Sequence, residues 1–121
     1  MSLPVLLGIG LLGGLGSIGR VVLAAAVDAR AGRGFPWGIL LVNVSGSLVL
    51  GLVAGAALTG DARRLAATGL LGSYTTFSTW MLDSRRLAGD GRRSLAALNV
   101  AGSLALGLGA VWLGRRIGAS L

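Results

Sequence analysis

Four long apolar runs divide this chain: Leu3–Val27, Trp37–Leu58, Leu65–Leu82 and Leu95–Gly114. A bilayer core of roughly 30 Å takes about 20 helical residues, with about 17 as the lower limit. All four runs qualify. The links between them, Asp28–Pro36, Thr59–Arg64 and Asp83–Ser94, are short. Sequence neighbours are therefore antiparallel, and both termini fall on one side. The first run has no basic leader and is too long for a signal-peptide core. The expectation is an all-α membrane protein, a single domain over 1–121 with four transmembrane helices.

Composition agrees with that reading. Hydrophobic residues make up 54% and charged residues 12%, with a mean hydropathy of +0.82. A soluble domain this small needs far more polar surface. Cysteine, histidine, glutamate and lysine are all missing from the sequence. Disulfides and the usual zinc or haem ligands are thereby excluded. No nucleophile–base pair can be assembled either, so an enzyme is not expected. The net charge of +7 comes from 11 arginines against 4 aspartates. These arginines lie between the apolar runs rather than on a common face, which suits membrane flanks and not nucleic acid.

The arginines also bear on orientation. Arg63, Arg64, Arg115 and Arg116 fall on the side of the termini; Arg30, Arg33, Arg85, Arg86, Arg92 and Arg93 fall on the other. Four against six is a weak bias, where the positive-inside rule works through a larger one. Either both orientations occur in a dimer, or lipids or a partner decide.

Two of the runs contain a repeat. Leu41–Gly55 (LVNVSGSLVLGLVAG) and Ala97–Val111 (ALNVAGSLALGLGAV) agree at nine of fifteen positions. Each copy spaces Asn, Ser and Gly four apart: Asn43, Ser47, Gly51 and Asn99, Ser103, Gly107. Such residues share one helix face. Small residues there serve close helix packing, the reading favoured for the glycines. A buried amide in lipid is costly and faces a partner or a cavity, which favours a functional role for Asn43.

The third run contains GSYTTFSTW, residues 72–80, in which six of nine residues carry a hydroxyl. Two readings are open. Gly72 and the hydroxyls mark a helix break, tolerated at membrane depth only where buried in protein or lining a polar cavity. Alternatively, the helix is intact and the hydroxyls bond back to its own carbonyls.

This stretch resembles the G-G-L-T-T-F-S-T-F signature of the Fluc (CrcB) fluoride channels. The second run is similar to that family's V-N-x-x-G-[ST]-x-x-x-G. Gly13-x-x-Gly16-Ser-x-x-Arg20 resembles its G-x-x-G-A-x-x-R, and Ser103-x-x-x-Gly107 its S-x-x-x-G. All four runs match in order. The resemblance implies a passive, fluoride-selective channel in the cell membrane (the inner membrane of a bacterium or archaeon), protecting the cell from fluoride. It implies an antiparallel dual-topology dimer with two pores and a break in the third helix. It further implies a structural sodium ion on the two-fold axis, held by backbone carbonyls of Gly72 and Thr75. Carbonyl oxygens suit such a hard cation. The fluoride pathway then falls on Asn43, Phe77, Thr79, Trp80, Asn99 and Ser103, with Arg20 at a vestibule. Aromatic edges and neutral donors favour an anion without trapping it.

Two positions depart from the family. Trp80 stands where a second phenylalanine is expected, and Asn99 where tyrosine is common. A homodimer is the expected unit, with a heterodimer beside a paralogous subunit as the alternative. A small multidrug-type transporter fits poorly, because Asp28, Asp61, Asp83 and Asp90 all lie in the links. A non-transporting scaffold would leave the hydroxyl cluster, Asn43 and Phe77 without a use.

Overall fold

The computed structural model describes residues 2–32 and 34–121; Arg33, part of the charge tally, lies outside them. Helix α1 (Leu3–Ala31) begins behind Ser2, whose hydroxyl accepts the Val5 N–H at 3.4 Å. It ends at Gly32, whose φ of +85° suits a residue without a Cβ. Helix α2 (Trp37–Gly55) starts against Asp28, which accepts the Gly38 N–H at 2.9 Å. A carboxylate there complements the positive end of the helix dipole.

The third run is not one rod. A short helix α3 (Gly60–Arg63) leads into a π-helical segment, Arg64–Leu71, and then α4 (Gly72–Tyr74). Thr75 is extended, with φ −78° and ψ 151°. Helix resumes as α5 (Ser78–Gly89), followed by α6 (Arg93–Ala119). The described residues form helices, turns and no strand. Among them α1, α2 and α6 are long and apolar enough to cross a membrane.

Helix ends and apolar ends differ for a physical reason. Apolarity records contact with lipid or core, whereas a helix stops where its backbone must turn. Thus α1 runs past Val27 through Asp28 and Arg30, while α2 ends before Leu58, where Ala57 adopts a positive φ of 56°. The π-helical turns had no counterpart in the sequence reading, because Arg64–Leu71 carries no periodicity that separates them from an α-helix.

Packing rests on glycine. Gly51 and Gly55 of α2 lie against the backbone at Val111 and Arg115 of α6; Gly114 and Gly118 lie against Leu48 and Leu52. Higher numbers meet higher numbers, so α2 and α6 are parallel. Glycine four residues apart on each helix lets the backbones touch, the small-residue packing typical of membrane helices. On the other flank, Gly8 meets Leu65, Gly69 meets Ile9 and Gly16 meets Ser73 and Leu70, so α1 is parallel to the third run. Gly38 against Ala24 shows α1 and α2 to be antiparallel. Both termini and the Ala56–Arg63 link therefore share one end of the bundle.

The buried core is small: Ala24, Ile39 and Val42, with Leu23, Tyr74 and Trp80 packed on it. Leu7, Leu11, Leu15, Ile18 and Val21 of α1 are all exposed. An outer surface of leucine and valine suits lipid or another chain, not water.

Candidate functional site

The non-helical residues between α4 and α5 are held from α2. The helical ladder closes with the Thr75 N–H on the Leu71 carbonyl at 3.1 Å. The next N–H, from Thr76, turns instead to Asn43 Oδ1 at 2.8 Å, and Asn43 Nδ2 donates to the Thr76 carbonyl at 2.8 Å. The side-chain amide thus replaces a peptide group and satisfies both backbone groups of Thr76. Two residues before Thr76, the Tyr74 hydroxyl lies 2.9 Å from Ser45 Oγ of α2. Helix α2 therefore grips the residues on both sides of Thr75.

The hydroxyls of GSYTTFSTW divide the remaining work. Ser73 donates to the Gly69 and Leu70 carbonyls at 3.0 Å each, and Thr75 donates to Leu71 at 3.0 Å. Thr76 Oγ1 accepts the Thr79 N–H at 3.3 Å and so caps the start of α5. Back-bonding and a change of backbone direction, opposed as alternatives in the sequence, occur side by side.

Next to this junction lies a groove of about 290 Å³, walled by Asn43, Ser47, Thr75, Phe77, Trp80 and Ser103. Gly107 forms part of its floor. Phe77 and Trp80 meet edge to face, with centroids 5.6 Å apart and planes at 86°. Phe77 is 69% exposed.

The expected site residues distribute as follows. Asn43, Phe77, Trp80, Ser103 and Thr75 come together at the groove. Thr79 stands behind it, bonded to Thr76. Asn99 does not reach the groove wall: it is 2% exposed and sealed between α5 and α6. Its Nδ2 donates to Ser84 Oγ at 2.8 Å, and its Oδ1 accepts from Ser103 at 3.2 Å. The Trp80 indole N–H donates to the Asn99 carbonyl at 3.1 Å, so the two departures from the family pattern touch. Gly72 is exposed at the end of the helical rod. Arg20, on α1, has a buried Nε without a partner among the described residues.

Sequence reasoning had placed Ser47 on the Asn43 stripe without a role, and had not singled out Ser84. The spacing of four from Asn43 was a signal for Ser47. Nothing in the sequence marked Ser84, whose partner Asn99 is on another helix.

A model of the family described as CrcB-like protein, Camphor Resistance (CrcB), matches residues 7–115. A protein of Mycobacterium bovis named fluoride-specific ion channel FluC 2 is 44% identical over 117 residues, covering 97% of this chain and 93% of that one. The fluoride-specific ion channel FluC of Opitutus terrae is 45% identical over 121 residues, covering 94% and 90%. The FluC 1 protein of Rubrobacter xylanophilus is 49% identical over 107 residues, covering 88% and 86%.

Proposed function

Since the chain belongs to the CrcB family, we propose that it is a fluoride-selective channel through which fluoride leaves the cell passively, limiting its toxicity. The observation that carries this reading is the groove beside the α4–α5 junction. It combines an amide, hydroxyls and two aromatic rings with the aliphatic side chains of Leu50, Leu104, Leu108 and Val111. Its wall contains no carboxylate or arginine among the described residues. A full positive charge there would hold an anion too tightly to release it. Neutral donors replace part of the ion's water, and ring edges add partial positive charge.

The working unit in this reading is an antiparallel homodimer of four-span subunits in the cell membrane. Support comes from the weak arginine asymmetry and from Phe77, whose exposed ring a second chain would cover. The junction at Thr75–Phe77 serves as the break in the third span. Carbonyls of Gly72 and Thr75 would hold a structural sodium ion. Among the described residues, no hydrogen bond from outside the helices reaches the Gly72 or Thr75 carbonyl, whereas the Thr76 carbonyl accepts from Asn43. Free carbonyl oxygens at a helix end are the ligand type a hard cation takes. Bound there, the ion would supply a fixed positive charge joining the two chains. A heterodimer with a paralogous subunit is favoured only by Trp80 and Asn99.

Fluoride efflux from liposomes containing this purified chain alone, with chloride as comparison, tests the function. Absence of fluoride flux from a well-folded dimer rejects the self-sufficient channel. For topology, cysteine tags at either terminus should label to about half from outside; uniform labelling rejects dual orientation.

A further inference from the structure

Resting on the fluoride-channel reading, we propose that Ser47 is a fluoride-binding residue, donating the hydrogen bond that follows Asn43 along the groove. An anion is bound by donors, so the protons that matter are those not already given away. Most of the groove's protons are spent. The Thr75 hydroxyl donates to the Leu71 carbonyl at 3.0 Å, and the Thr76 hydroxyl to Thr79 Oγ1 at 3.3 Å. The Trp80 indole donates to the Asn99 carbonyl at 3.1 Å.

Ser103 is the instructive case. Its hydroxyl donates to Asn99 Oδ1 at 3.2 Å, and the direction of that bond is fixed from behind. Ser84 gives its single proton to the Trp80 carbonyl at 2.9 Å, so Ser84 Oγ has only lone pairs for Asn99. The nitrogen of Asn99 must therefore face Ser84, at 2.8 Å, and its oxygen must face Ser103. Ser84 and Asn99 thus act as positioning residues, and Ser103 turns lone pairs, not a proton, towards the groove. Lone pairs repel fluoride.

Two donors remain. Asn43 Nδ2 has a second hydrogen beyond the one given to Thr76. The Ser47 hydroxyl lines the groove and is committed to no other group among the described residues. Gly107 lines the groove beside it, where even a Cβ would come only into ordinary contact with Ser47 Oγ, at 3.6 Å. Asn43 and Ser47 are four apart on α2, so the two donors follow one another along the groove. Successive weak sites of this kind allow an ion to enter and leave.

The test compares Ser47→Ala, Ser47→Thr and Ser103→Ala with the unmodified chain in fluoride efflux from liposomes, each variant first shown to match its elution volume in detergent. Loss of one donor to a charged ligand predicts a flux reduction of ~10-fold or more for Ser47→Ala. Ser47→Thr should recover most of the flux, since it restores the hydroxyl, and Ser103→Ala should lose less than Ser47→Ala. Full flux in Ser47→Ala overturns the proposal. So does a Ser47→Ala loss that threonine fails to recover, which makes the residue a packing element. An unmodified chain that carries no fluoride fails at the level of the channel reading instead, before the variants are compared.

Discussion

Replacing Asn43 by alanine removes two hydrogen bonds of 2.8 Å across 33 residues of sequence and leaves the N–H and C=O of Thr76 without partners. An unpaired buried backbone group costs about 1–3 kcal/mol, so the pair costs about 2–6 kcal/mol by the same measure. Against a total stability of about 5–15 kcal/mol, that is enough to rearrange the junction. The accessible rearrangement is for the Thr76 N–H to seek the Gly72 carbonyl, carrying the helix one residue further and turning Phe77 away from the groove. Hydrogen exchange read by mass spectrometry on a peptide spanning Ser73–Trp80 reports the junction directly. Lost protection of about 1–3 kcal/mol for the Thr76 amide corresponds to roughly 5- to 150-fold faster exchange. Fluoride flux should fall in the same variant while the elution volume of the purified protein stays unchanged. Asn43→Asp separates the two bonds, because it still accepts from the Thr76 N–H but has nothing to donate to the carbonyl. Unchanged exchange at the junction in Asn43→Ala, together with normal flux, refutes the clamp.

Phe77→Ile removes the exposed ring edge and should suppress fluoride flux in liposomes without changing the elution volume of the purified protein. Gly114→Val places a side chain against the Leu48 backbone; overpacking of this kind typically costs about 1–3 kcal/mol or more, and should lower the yield of folded protein on size exclusion, whereas Gly10→Ala, with nothing within 4 Å, should not. Asp83, just beyond the third apolar run, has its carboxyl raised above the ordinary 3.8 by burial, against the lowering effect of Arg86 and with a further rise from Asp28. A raised carboxyl contributes stability below pH 3.8 that is lost as pH rises through the folded value; Asp83→Asn should flatten that part of a thermal-stability profile.

The sequence disclosed the helices through apolar length, and Asn43, Phe77, Trp80 and Ser103, expected together, line one groove. It did so because lipid exposure and the third-run motif are both local properties. Partnerships between helices are not local. Asn43 bonds both backbone groups of Thr76, a partnership that nothing in the sequence marks. The repeat shows the same limit. Asn43 and Asn99 are equivalent in sequence, as are Gly51 and Gly107, yet their surroundings differ. Helix α2 meets α6 with Gly51 near Val111 rather than Gly107, so the two copies are displaced along their shared seam. Gly51 is buried in that seam while Gly107 is left on the groove floor. One asparagine grips Thr76 before α5 and the other grips Ser84 within it.

The glycine seam joins the second helix to the last one, and this sets an order on biosynthesis. While the chain emerges, the ridge formed by Gly51 and Gly55 has no backbone to rest on, because Val111 and Arg115 have not yet been made. Asn99 and Ser103, which brace α5 from behind, are also still unmade. The α2 ridge therefore gains its partner, and the groove the part of its wall made by Ser103 and Gly107, only once the final helix has been made.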